Sequence, residues 1–186
     1  MKTITKQLLV DSCRSEYSNK LILSSVLLII ALVVSLLKTK FVLIIVAILL
    51  VFLVFECFLF HSNIKKIKSG KFHIIEEELV YLHIKEQHIK KAYRFRYSNY
   101  YYYTFEFFNG NEYTVFLDDD KKEKNSREKE ELINNSRPGE KFYLVMIKST
   151  FSKKGKIIKV FNSNIYKMSE TDFILENGKY LCRKNF

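Results

Sequence analysis

Two apolar runs separated by three residues constrain this chain more than any other feature. Leu21–Leu37 carries no charge, and Phe41–Phe60 carries one, Glu56. At 1.5 Å per residue they make roughly 25 and 30 Å of helix, about one hydrocarbon core each. The sequence therefore predicts an α+β membrane protein: an N-terminal transmembrane helical hairpin (21–37 and 41–60) followed by a β-rich domain. A cleaved signal peptide does not fit, because the first run lacks a small-residue cleavage site and a second run follows at once.

The basic residues beside these runs set an expected orientation. Lys2, Lys6, Arg14 and Lys20 precede the first run, and Lys65, Lys66, Lys68 and Lys71 follow the second. The connection holds only Lys38 and Lys40. Such charges are retained on the inner side, which predicts a multi-pass cell-membrane protein with both termini cytoplasmic and membrane lipid as partner. Three cysteines make no disulfide framework, and Cys13 and Cys182 would then face a reducing compartment. Glu56 is the candidate intramembrane polar site, close enough to the end of its run to reach headgroups or water. Residues 1–20 read as a polar tail and candidate interfacial helix, with Leu9, Val10, Cys13 and Tyr17 at near-helical spacing.

Residues 61–186 hold 25 of the 31 basic and 17 of the 20 acidic residues, so the mean hydropathy of -0.07 averages two unlike regions. This region is expected to be one cytosolic β-rich domain, a small barrel or a curved antiparallel sheet with one short helix. Its turns are marked by Gly70, Asn109-Gly110, Pro138-Gly139, Gly155 and Asn177-Gly178. Asn-Gly favours a type I′ turn, which predicts hairpins around 109–110 and 177–178. Ser152-Lys153-Lys154-Gly155 should turn Lys141–Lys148 back into Lys156–Phe161. Phe72–Lys85 reads as a strand despite Glu76-Glu77-Glu78, because Val80, Leu82 and Ile84 alternate with polar residues. Tyr93, Phe95 and Tyr97 alternate with Arg94 and Arg96, and Ser98-Asn99 reads as a turn or bulge. The short helix follows Asn125, with Glu128 completing a capping-box pattern and Pro138-Gly139 as the stop.

Gly139-Glu140-Lys141-Phe142-Tyr143-Leu144-Val145, a basic turn, then Lys156-Ile157-Ile158, Phe161-Asn162 and Tyr166 together carry a resemblance. The pattern resembles the C-terminal part of uncharacterised two-span membrane proteins of AT-rich Gram-positive bacteria, which more often have Asp after the Gly. The resemblance implies a hairpin with a small C-terminal β-domain. It implies no activity and no catalytic residues.

Catalytic constellations are not visible. His61, His73, His83 and His88 lack metal-ligand spacing, and no CxxC joins them. The glycines are too widely spaced for a phosphate cradle, and Asp118-Asp119-Asp120 runs directly into lysines, as a solvated loop does. The expectation is no catalytic residue, no cofactor and no metal. The remaining candidate is a basic–aromatic patch: Arg94, Arg96, Tyr100 and Tyr102, with Lys65, Lys66 and Lys68, as a membrane or partner contact. Single-stranded nucleic acid uses similar chemistry, but alternating strands put Arg outward and rings inward for packing reasons, so nucleic acid is not the expected partner. The expected function is non-enzymatic: a membrane-anchored protein whose β-domain binds a protein partner or regulates a membrane complex. The alternative is a membrane immunity protein that neutralises a toxin at the inner face.

Overall fold

The computed structural model describes residues 1–14, 22, 25, 26, 29, 40–90, 97–118, 126–148 and 155–183. They divide into two compact units, Met1–Ile4 with Phe72–Phe186, and Thr5–Lys71.

The helical unit contains α1 (6–14) and α2 (Lys40–Lys68). Thr5 starts α1, its hydroxyl accepting the Leu8 amide at 3.1 Å as an N-cap residue does. Lys65, Lys66 and Lys68 occupy the last turn of α2, where cations complement the negative end of the helix dipole. Gly70 then takes a positive φ of 69°, and the Gly70 and Lys71 amides return to the carbonyls of Ile67 and Lys66.

The expected transmembrane architecture is corrected here. Among the described residues no helix is long and apolar enough to cross a membrane. That finding overturns the two-span hairpin, the integral lipid partnership and the multi-pass membrane localisation with cytoplasmic termini. Most of the first run lies outside the described residues. α2 runs on past the apolar stretch, which ends at Phe60. His61, Asn63, Lys65, Lys66 and Lys68 follow. Ile48, Val51, Phe52, Val54, Phe55 and Phe58 are exposed on α2.

The β-unit is built on one long strand. β1 (Lys2–Ile4) is followed in this unit by β2 (Phe72–Lys90), β3 (Tyr97–Phe107) and β4 (Glu112–Asp118). After α3 (Ser126–Asn134) come β5 (Lys141–Ile147), β6 (Lys156–Asn162), β7 (Tyr166–Met168), β8 (Phe173–Glu176) and β9 (Lys179–Cys182). The main sheet has seven strands along the path β4-β3-β2-β5-β6, with β9 on β2 and β8 on β9. Its ends are open; β1 and β7 form a separate parallel ribbon.

β2 changes partners midway. Phe72–Glu78 pairs with β5, and Leu79–Lys90 pairs with β3. A bulge between Leu79 and Tyr81 shifts the β3 register just after this change. The extra residue has a packing reason. Ile75, Glu77 and Leu79 share one face of β2, and strict alternation would send Leu82 to the other; skipping Val80 keeps it inside. That face carries the main core: Leu79, Phe105, Phe107, Val115, Phe142, Leu144, Met146 and Val160, with Leu132 and Ile133 of α3 against it. Phe142 meets Phe105 and Phe107 edge-on at 6.3 and 5.8 Å, a favourable geometry for aromatic pairs. Phe72, Ile74, Val145 and Ile147 bury on the opposite face, where Phe72 meets Phe173 at 6.0 Å.

Glu77 is a carboxylate on the core face, only 6% exposed. Asn109 and Asn111 each donate a side-chain N–H to its Oε1, at 3.0 and 2.8 Å, and the Phe108 amide reaches the Glu78 carbonyl at 3.1 Å. The tip of the β3–β4 hairpin is thereby clamped to the middle of β2. Among the described residues, Glu77 Oε2 is the buried side-chain oxygen without a hydrogen bond.

Ser98 and Asn99 are not a turn. They lie within β3, opposite Ile89 and His88 in an unbroken register. β2 extends far enough to pair with them, and cross-strand pairing overrides the local turn preference.

Candidate partner-binding face

The β2–β3–β4 meander has one face in the core and one outside, and alternation assigns each tyrosine of the run Tyr100–Tyr103. Tyr101, Tyr103, Phe105 and Phe107 share the inner side of β3; Tyr100, Tyr102, Thr104 and Glu106 share the outer side. Register then sets the outer neighbours. Tyr102 stands opposite Phe116 and Lys85, Thr104 opposite Thr114 and His83, and Glu106 opposite Glu112 and Tyr81.

The centre of the outer face is Phe116. Tyr100 stacks on it with ring centroids 5.4 Å apart and planes 16° apart, and Tyr102 meets it at 5.3 Å and 51°. Phe116 is 39% exposed and Tyr81 59%. Between them the Thr104 and Thr114 hydroxyls bond at 3.1 Å, and His83 Nε2 lies 3.0 Å from Glu106 Oε2. The result is a half-exposed aromatic cluster within a ring of mixed charge.

The edge of this face is guarded. Lys129 of α3 donates its ammonium to the Phe116 carbonyl at 3.1 Å, occupying a backbone acceptor that an edge strand would otherwise offer. At the other end of the strand order, Glu128 of the same helix pairs with Lys159 of β6 at 3.4 Å. α3 thus lies across the opening between the two ends of the sheet.

The residues expected to make a contact surface divide among three places. Tyr100 and Tyr102 come together on the outer face. Arg94 and Arg96 lie outside the described residues. Lys65, Lys66 and Lys68 close α2 in the other unit, and Glu56 is an exposed residue of the same helix. Sequence reasoning missed Phe116, although counting outward from the hairpin centre at Asn109 places it directly across from Tyr102.

The residues that carry the resemblance have a structural explanation. Glu140 accepts from the Arg137 amide at 3.0 Å, Asn162 Nδ2 at 3.0 Å and Asn164 Nδ2 at 3.2 Å. Asn162 is 1% exposed, and its Oδ1 accepts the Asn164 amide at 2.8 Å. The network ties the entry of β5 to the exit of β6. Leu79 fixes the same entry through backbone bonds to Gly139 and Glu140, at 2.8 and 2.9 Å. Phe142 and Leu144 are core residues, and Phe161 packs edge-on against Tyr166 at 4.9 Å.

Two titratable groups are perturbed where β2, β5 and β9 meet. Burial raises the Tyr143 phenol to about 12, aided by Tyr180, whose ring meets it at 5.8 Å, and by Glu76. Burial lowers His73 from its ordinary value, and the nearby Lys179 ammonium adds to this. Both shifts follow from packing. Among the described residues no group of three His, Cys, Asp or Glu is placed to hold a metal ion.

Comparison with protein-family models, curated proteins and solved structures found no match for this chain.

Proposed function

We propose that the β-unit is a non-enzymatic binding module whose outer face, centred on Tyr100, Tyr102 and Phe116, docks a protein partner. The observation that carries this reading is the cluster itself: Tyr100 and Tyr102 both against Phe116 on a half-exposed sheet face, held by backbone register and not buried in the core. Aromatic anchors surrounded by polar residues are the usual centre of a protein interface. The charge around the cluster favours protein over nucleic acid. Glu106 and Glu112 lie on the same face as Lys85, and a polyanion would be repelled by the carboxylates.

A photo-crosslinking side chain in place of Phe116 tests the proposal in cells. It should trap one protein species in high yield, and Tyr102→Ala should abolish that product. The same probe in place of Leu175, an exposed residue of β8, should not trap it. Equal products from both positions, or none from either, would refute the docking face.

A further inference from the structure

The segment Lys2–Ile4 belongs to the β-unit, whereas Thr5 onward belongs to the helical unit. It runs parallel to β7 with Lys2 opposite Tyr166, Thr3 opposite Lys167 and Ile4 opposite Met168. Two backbone bonds fix its ends: the Lys2 amide donates to the Ile165 carbonyl at 2.8 Å, and the Ser169 amide donates to the Ile4 carbonyl at 3.0 Å.

Its side chains are read one by one. Lys2 Nζ reaches both carboxylate oxygens of Glu131 on α3, each at 2.9 Å, and stands 5.5 Å from the centre of the Tyr166 ring. Thr3 is exposed, and Ile4 is fully buried at 0% exposure. The Glu131 hydrogen bond raises the Lys2 pKa above its ordinary value, against an opposing effect of burial. These are the parts of strand-addition recognition: main-chain bonds along a strand, a charged contact at one position and a buried aliphatic side chain two residues on.

A three-residue parallel pairing is short for independent stability. The covalent connection through residues 5–71 therefore contributes by keeping the segment near its groove. We infer that the β7 groove is a peptide-binding site in its own right, filled in cis by Lys2–Ile4 and able to accept in trans an extended segment of the form Lys-x-Ile. The recognised chemistry is a lysine for Glu131 and Tyr166, any residue at the exposed position, and a branched aliphatic residue at the buried position of Ile4.

The Ser169 amide reports occupancy, because its partner is the Ile4 carbonyl. In the full chain it should be protected from hydrogen exchange. Lys2→Glu/Ile4→Asp should release the segment, speeding Ser169 exchange at least about tenfold while the Leu144 amide in β5 stays protected. A millimolar peptide of sequence Met-Lys-Thr-Ile-Thr should then restore Ser169 protection. Peptides carrying Glu for Lys, or Asp for Ile, should not. Glu131→Lys in the released chain should reverse the first preference and favour the Glu peptide. If the double variant loses Leu144 protection, Lys2→Glu alone replaces it, since Lys2 is exposed, and the same peptide series applies. A folded, released chain whose Ser169 amide ignores every peptide would overturn the inference. So would equal protection by all of them.

Discussion

Tyr102 and Tyr103 are neighbours in sequence with opposite surroundings. Tyr103 turns inward and packs against the core cluster. Tyr102 turns outward against Phe116, on a face with Lys85 and Thr104. The backbone is the same extended strand for both, so residue type does not decide which tyrosine stabilises the fold and which is free to bind. The pleat decides, and the bulge at Val80 sets its phase relative to β2. A residue's role in this hairpin is therefore a parity property, and substitutions should alternate in effect along the strand.

The largest expected effect sharpens the inner side. Phe105→Ala removes a fully buried ring that touches Phe142 and Tyr113. It should cost about 3–5 kcal/mol in urea unfolding of the chain. Tyr103→Ala, at the margin of the same core, should cost about 2 kcal/mol. Asn111→Ala removes one of two donors to the buried Glu77 oxygen and should cost about 1–2 kcal/mol; little or no loss would mean that the hairpin tip is not held by this clamp. Tyr102→Ala should cost less than about 1 kcal/mol, since its ring rests on another half-exposed ring.

The smallest effect is a pH dependence. His73 has a lowered value in the folded state, so the unfolded chain takes up a proton more readily as the pH falls through the ordinary histidine range. Stability should therefore decline from neutral pH toward about pH 5. His73→Asn should flatten that part of the profile, as read from unfolding midpoints at a series of pH values. An unchanged slope would assign it to other groups.

The two Asn-Gly turns show how far the sequence could be read. At Asn177-Gly178 both residues have positive φ, 50° and 73°, and Glu176 pairs directly with Lys179. This is the type I′ turn the dipeptide favours. At Asn109-Gly110 only the glycine is positive, at 70°. The Gly110 amide returns to the Phe107 carbonyl at 2.8 Å and the Phe107 amide to the Asn111 carbonyl at 2.9 Å. That is a three-residue loop ending in a glycine bulge. The dipeptide locates both turns, but at the second the side chains of Asn109 and Asn111 are engaged by Glu77, a residue far away in sequence. The strand over Phe72–Lys85 was legible, and the acidic run Glu76-Glu77-Glu78 did not displace it. The alternation of Val80, Leu82 and Ile84, however, is broken by the bulge at Val80, and Ile84 is exposed. The Val80 bulge and the partner change in β2 were not legible, since both depend on which strands arrive beside it.

The site was legible to a smaller extent. Tyr100 and Tyr102 could be placed outward by parity alone, whereas Phe116 required the register. The role of Lys2 was hidden because a single lysine in a polar tail has no local signature; its partner Glu131 is supplied only by the fold. The apolar runs gave the strongest sequence signal and led to an architecture that the described helices do not support.

The division of the tyrosine run is tested most directly by measuring unfolding free energy and Phe116 crosslinking yield on the same pair of single variants, Tyr102→Ala and Tyr103→Ala. The predicted result is a crossover. Tyr102→Ala keeps nearly all of the stability and loses the crosslinked product, whereas Tyr103→Ala loses about 2 kcal/mol but retains the product under conditions where it remains folded. Equal stability losses with equal crosslinking in the two variants would contradict the account.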